Sequence, residues 1–268
     1  MSYYKVKTQG CFLFLMIIVF SNSAAESVSL CGGPQAMLAV VDRPTIADSP
    51  CTVGVGHAIF EGGFQLQKQI GSGHSQQFPS MVFRVGLPKE NELFAFLPNY
   101  FHQSEAPSSG LGPTGIGYKH ILHYTEKWLL TFDTLVTPPS GSVNYGSQGL
   151  GGIVNAIYNY NFSDSLSFTC QLGYSSQTES ELSGGHRFAS LNPDAFLTWS
   201  LSDKLQLFGE VYGQSKTGVG QGSGYATQFG LVYLLAKNMT VDVEVGKRLS
   251  GLIGNFENYL GAGMAVQF

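Results

Sequence analysis

Apolar and polar residues alternate with a period of two over most of this chain, and that period restricts the fold more than any other feature. In residues 258–268, Leu260, Ala262, Met264, Val266 and Phe268 share one face of an extended strand, and Tyr259, Gly261, Gly263, Ala265 and Gln267 share the other. In 166–176, Leu166, Phe168, Cys170, Leu172 and Tyr174 alternate with Ser167, Thr169, Gln171, Gly173 and Ser175; in 239–246, Met239, Val241, Val243 and Val245 alternate with Thr240, Asp242, Glu244 and Gly246. Such segments are strands with one apolar and one polar face, so the chain is expected to be all-β.

The segments recur as hairpins. Ser163-Asp164-Ser165, Ser202-Asp203-Lys204 and Ala236-Lys237-Asn238 are short polar turns, whereas 177–187, 216–224 and 250–257 have the Gly, Ser and Asn content of longer loops. The same template places twelve strands near 56–69, 79–87, 92–101, 114–124, 128–137, 149–162, 166–176, 188–201, 205–215, 225–235, 239–249 and 258–268. Ten or fourteen strands are the alternatives. With twelve, every short turn falls on one side and every longer loop on the other, as in an antiparallel up-and-down transmembrane β-barrel.

A soluble sandwich alternates too, but it turns its charges outward. Only 12% of these residues are charged, about half the usual share of roughly 25% for a soluble domain. Closing the sheet into a barrel turns the apolar face to lipid and the polar face to the lumen, leaving no unpaired edge. Tyr118, Tyr124, Trp128, Tyr158, Tyr160, Phe162, Tyr174 and Trp199 fall near strand ends on the apolar register, where interfacial aromatics sit.

At the N-terminus, Lys5 and Lys7 precede the apolar run from Cys11 to Phe20, and Ser23-Ala24-Ala25 supplies small residues for cleavage before Glu26. Residues 1–25 therefore read as a signal peptide, too short to cross a membrane as a helix. Leu30 before Cys31 does not suit a lipoprotein. Removing 1–25 takes Lys5 and Lys7 with it, leaving 12 basic against 18 acidic residues, a net charge of −6. That balance gives no footprint for nucleic acid. Cys31 and Cys51 could pair in an oxidising compartment, while Cys170 reads as a small apolar residue of a strand.

Asp42-Arg43-Pro44, then Asp48-Ser49-Pro50, then Glu61-Gly62-Gly63-Phe64 form an acid-Arg-Pro, an acid-Ser-Pro and a first strand with Glu followed by small residues. This opening resembles that of the outer-membrane proteins grouped under the meta-pathway of phenol degradation, often labelled transporters. Arg84-Val85-Gly86-Leu87 and Gly115-Ile116-Gly117-Tyr118-Lys119 echo the family later in the chain. Ile59 stands where the family often has Gln, and Cys51 is unusual for it. The final aromatic Phe268 resembles the sorting signal that ends bacterial outer-membrane barrels. These resemblances imply export to the outer membrane of a Gram-negative bacterium, with outer-membrane lipids and the barrel-assembly machinery as partners and small-molecule solutes as cargo.

The register turns Glu61, Arg84, Lys119, Asp133, Asn155, Gln171, Asp194, Glu210, Asp242, Glu244 and Lys247 into the lumen. Their charges either set a field that selects solutes or pair with one another to fill a narrow interior. Residues 26–55 precede the first strand of a barrel spanning 56–268. They form either a periplasmic tether or a plug, in which Asp42, Arg43 and Asp48 would enter the lumen. His120 and His123, three apart, are expected on opposite faces of a strand, and no residues assemble into a catalytic, metal or cofactor site, so an enzyme is not expected. Two functional classes remain: a channel for passive passage of small solutes, aromatic or apolar ones among them, or a structural or surface-interaction barrel acting through its external loops.

Overall fold

The computed structural model describes residues 29–33 and 35–268; the expected signal peptide lies outside the described residues. Among the described residues fifteen strands follow one another as β1 (Ala58–Gln69), β2 (His74–Phe78), β3 (Val82–Leu87), β4 (Asn91–Phe96), β5 (Tyr100–Gln103), β6 (Ser109–Leu111), β7 (Gly115–Tyr124), β8 (Trp128–Thr137), β9 (Gly151–Asn161), β10 (Leu166–Thr178), β11 (Arg187–Ser200), β12 (Leu205–Gln214), β13 (Gly224–Ala236), β14 (Met239–Ser250) and β15 (Phe256–Gln267). Twelve of them, β1, β3, β4 and β7 through β15, pair in that order and return to β1, closing an antiparallel barrel. The seam joins Ile59 to Gln267 and runs along the strands to Lys68 and Asn258. It is finished by paired bonds between Ala58 and Phe268, N–H to carbonyl in both directions at 3.2 and 2.8 Å, with His57 Nδ1 3.3 Å from the Phe268 carbonyl.

The remaining strands, β2, β5 and β6, extend β3, β4 and β7 toward the long-loop end, beyond breaks at 79–81, 97–99 and 112–114. Three neighbouring strands are thus interrupted at about the same height; the sequence reading ran 92–101 through one break, began the other two strands at 79 and 114, and left β2 and β6 out. Each break holds a proline, Pro79, Pro98 or Pro113, which has no N–H to give the ladder. Other groups bridge the gaps: the Pro79 carbonyl accepts from Gly63 N–H at 2.7 Å, and Asn99 Oδ1 accepts from Ser80 N–H at 3.1 Å. A wall cavity of about 330 Å³ lies at the aligned breaks, lined by Met81, Phe96, Leu97, Pro113 and Leu135 among others.

Short connections at 88–90, 125–127, 162–165, 201–204 and 237–238 occupy one end, and loops as long as 138–150 occupy the other. Outward positions are apolar and exposed, as at Ile116, Leu172 and Phe229, while Arg84, Lys119 and Glu61 on the inner face are fully buried. This is the inverse of a soluble fold and suits a barrel surrounded by lipid. Among the described residues no helix is long and apolar enough to cross a membrane.

Two local departures from strict alternation correct the sequence reading. A bulge between Ile121 and His123 shifts the register of β7 by one, so Tyr124 pairs with buried Leu129 and packs inward rather than on the lipid face. The same shift puts His120 and His123 on one face: they pair with Phe132 and Leu130, and the His123 ring lies 5.1 Å from Trp128. In β14, Lys247 continues the outward row of Val243 and Val245; Arg248 takes the place inferred for it, its guanidinium donating to Glu257.

Candidate functional site: the occupied lumen

Residues 29–33 and 35–55 enter the barrel from the short-turn end. Helix α1 (Ala36–Val40) presents Met37, Leu38 and Val40 to Ile59, Ile121, Leu129, Val232 and Leu234, forming an apolar stopper in that mouth. A disulfide between Cys31 and Cys51 ties the start of the segment to its far side. Beyond α1 the chain turns at 43–44, bends at 46–47 and 50–51 and is short of backbone partners of its own, and a buried N–H without a partner is costly. Carboxylates of the wall accept those N–H groups. Glu61 on β1 takes the amides of Asp42 and Arg43 at 2.9–3.1 Å, Glu210 on β12 takes those of Ile46 and Ala47 at 3.0–3.1 Å, and Glu92 on β4 takes that of Val53 at 2.8 Å.

Around these contacts lies a buried ionic knot. Arg84 on β3 donates to Glu61 at 2.8 Å and to Glu92 at 2.7 and 2.9 Å, lies 3.2 Å from Asp42, and also reaches the carbonyls of Val40 and Cys51. Lys119 on β7 donates to Asp42 at 3.0 Å and to the Ser49 carbonyl at 3.1 Å. Burial alone would raise the Asp42 carboxyl, but the charges of Arg84 and Lys119 hold it below its ordinary value. Across the lumen Arg43 pairs with Asp242 on β14 at 3.0 Å. Its guanidinium lies over Gly63 and Gly263, which face each other on β1 and β15; a β-carbon on either would collide with it. Gly86 makes similar room for the backbone of Val53 and Gly54.

The other charged positions lie above the segment, toward the long loops. Asp48 accepts from Asn155 at 3.2 Å, and the same Asn155 amide reaches Asp133 at 2.8 Å; the Asp48 N–H is held by Gln171 at 3.0 Å. Burial first, then the carboxylates of Asp133 and Asp42, push Asp48 well above its ordinary value. Asp194 on β11 faces Glu210, acid against acid. Glu244 receives Gln65 at 3.3 Å through one oxygen. Among the described residues, nine carboxylates around the segment (Asp42, Asp48, Glu61, Glu92, Asp133, Asp194, Glu210, Asp242 and Glu244) thus face three cations, Arg43, Arg84 and Lys119, with the Arg248–Glu257 pair nearer the long loops. The sequence reading omitted Glu92 from this set and, beside it, the uncharged Gln228. Glu92 was detectable, since it and Arg84 flank the 88–90 turn and meet across the β3–β4 hairpin. Gln228, which donates to Glu210 and accepts from Tyr259, carries no charge to single it out.

Two cavities that share no lining residue lie on either side of the segment. The one at the short-turn end, about 190 Å³, touches Arg43, Pro44, Thr45 and Ser49; the one under the long loops, about 730 Å³, has Ile46 and Asp48 in its floor. Among the described residues no group of His, Cys, Asp and Glu side chains is arranged to hold a metal ion.

The fold is shared with solved outer-membrane proteins. An outer membrane channel from Pseudomonas putida F1, of the group COG4313, is 11% identical to this chain with a TM-score of 0.67, over 84% of this chain and 100% of the other. The KdgM porin is 14% identical with a TM-score of 0.52, over 78% and 99% of the two chains. The NanC porin is 12% identical with a TM-score of 0.53, over 78% and 98%. Two of these are porins and one an outer membrane channel, and what they share with this chain is the fold. No curated protein sequence matches it. Residues 41–264 match the family model described as "Putative MetA-pathway of phenol degradation", and the chain belongs to that family of outer-membrane β-barrel proteins.

Proposed function

We propose that this protein is a channel for passive passage of small solutes, with its short turns toward the periplasm and residues 42–53 acting as a plug in the state described. The observation that carries this reading is the pair of cavities, one in each mouth, divided by a segment that contributes no strand to the barrel. The divider is held in the middle by hydrogen bonds and ion pairs, which water can replace when the segment withdraws. The barrel itself closes through β1 and β15 without it. A preference for aromatic or apolar solutes is supported by Phe94, Phe96 and Phe101 in the long-loop cavity. The exposed apolar outer face suits outer-membrane lipids, and the exposed Phe268 at the seam suits recognition by the barrel-assembly machinery.

Planar-bilayer recordings of the processed protein and of a variant lacking 26–50 test the reading. The deletion is expected to raise single-channel conductance several-fold while heat-modifiable gel mobility is kept. Unchanged conductance in a normally folded barrel would rule out the plug. If both proteins are silent, the channel reading falls and the surface-interaction barrel replaces it.

A further inference from the structure

The long-loop cavity has a floor and a wall of different chemistry. On the floor, Asp133 and Asp194 are more than nine-tenths buried, yet Asp133 Oδ2 and both carboxylate oxygens of Asp194 have no hydrogen-bond partner. Buried acceptors of this kind ordinarily find a donor. The nearby cations give their hydrogen bonds to other groups: Lys119, the cross-strand neighbour of Asp133, donates to Asp42 and the Ser49 carbonyl, Arg84 to Glu61 and Glu92, and Arg43 to Asp242. The glutamines of the side wall are occupied too, with Gln67 donating to Gln65 at 2.6 Å and Gln69 to Gln103 at 2.8 Å. What this floor lacks is therefore a donor with positive charge.

Above the floor the wall is aromatic. Phe101 and Tyr145 stack with their rings 5.1 Å apart and 7° from parallel, Phe94 and Phe96 meet edge to face at 5.8 Å, and Tyr212 is the cross-strand neighbour of Asp194. A cavity of about 730 Å³ is of ligand size.

We infer that the long-loop cavity is a binding site for aromatic ammonium compounds, whose cationic head sits between Asp133 and Asp194 and whose ring lies against Phe94, Phe101 and Tyr145. The head supplies N–H donors and charge together, to a lumen in which the nine carboxylates around the segment face three cations. A charged hydrogen bond in place of an orphaned acceptor favours the ammonium over a neutral isostere. The inference deepens the channel reading and rests on it for the solute's route, not for its binding.

Isothermal titration of the processed protein in detergent at pH 7, with phenethylammonium chloride, 2-phenylethanol and 3-phenylpropanoate, tests it. Phenethylammonium is expected to bind at least about tenfold more tightly than the alcohol, and the carboxylate not at all. Asp194→Asn and Asp133→Asn, checked for heat-modifiable mobility, should each weaken the ammonium about five- to tenfold and leave the alcohol unchanged. Equal affinity for ammonium and alcohol, or no binding of either, overturns the inference with no variant needed. That is also the result expected if Asp194 and Glu210 share a proton instead. A silent barrel that still discriminates the ammonium removes the channel reading alone; a conducting barrel that does not discriminate removes this inference alone.

Discussion

Replacing Arg84 with Met separates the contribution of the ionic knot from that of the apolar stopper. The guanidinium is fully buried and serves Glu61, Glu92 and Asp42 together, so Arg84→Met leaves three carboxylates with Lys119 as the one cation still in contact, and that on Asp42. Removing one partner from a buried ion pair costs about 3–5 kcal/mol, because the charge left behind is uncompensated. The backbone amides on Glu61 and Glu92 offset part of this, so the lower figure applies to a segment that stays docked. At 1.4 kcal/mol per factor of ten, about 3 kcal/mol lowers the docked-to-undocked ratio of residues 42–53 about a hundredfold. Arg84 also donates to the Val40 carbonyl at the end of α1, so that bond is lost too, while the apolar contacts of Met37 and Leu38 remain and keep their end of the segment in place. The expected result is a barrel with unchanged heat-modifiable mobility, more frequent openings in planar bilayers, and faster proteolysis within 42–53. Adding Glu92→Gln to Arg84→Met should recover part of the loss, since one stranded charge is removed. Wild-type opening frequency and protease resistance in a folded Arg84→Met barrel would refute the claim that the knot holds the segment.

Further expectations follow from the same contacts. Cys31→Ser opens a loop of 20-residue separation whose closure contributes roughly 3 kcal/mol, so the segment should become protease-sensitive at lower denaturant, and dithiothreitol should do the same to the wild type. Asp48, raised by burial and by Asp133, contributes its stability fully below its ordinary value of 3.8 and loses it as pH rises through the raised one. Asp48→Asn should therefore open less often than wild type at pH 7, and the difference should vanish toward pH 4. Asp42 runs the other way: held below 3.8 by Arg84 and Lys119, it loses its contribution as pH falls beneath that value, so wild-type openings should increase in strong acid. Gly63→Val sets a side chain where the Arg43 guanidinium lies and should raise conductance without disturbing the β1–β15 seam; an unchanged trace would show that Arg43 is not held there.

Most of the barrel is legible in the sequence because strand alternation is a local property. Leu166 to Tyr174 and Met239 to Val245 declare their faces within ten residues, and the positions of Ser163-Asp164-Ser165 and its counterparts follow from the spacing between such runs. The failures occur where one residue breaks the period. The β7 bulge moves Tyr124 from the lipid face to the stopper, and a bulge has no compositional mark strong enough to read there. Pro79, Pro98 and Pro113 were visible individually. That they interrupt three neighbouring strands at one height emerges only when those strands are paired.

For the lumen, the sequence alone turned the acids of β8, β11, β12 and β14 inward, since period two and a lipid-facing apolar row leave them no other side, although it misplaced Lys247 and passed over Glu92. Tertiary structure alone decided what those charges do. Glu61, Glu92 and Glu210 are occupied by backbone amides of 42–53, while Asp133 and Asp194, with the same chemistry and the same alternation, keep free oxygens. The difference arises from contacts such as Ala47 with Glu210, 163 residues apart in the chain. A backbone N–H is present at every residue except proline, so nothing in a side-chain pattern shows which amide a distant carboxylate will receive.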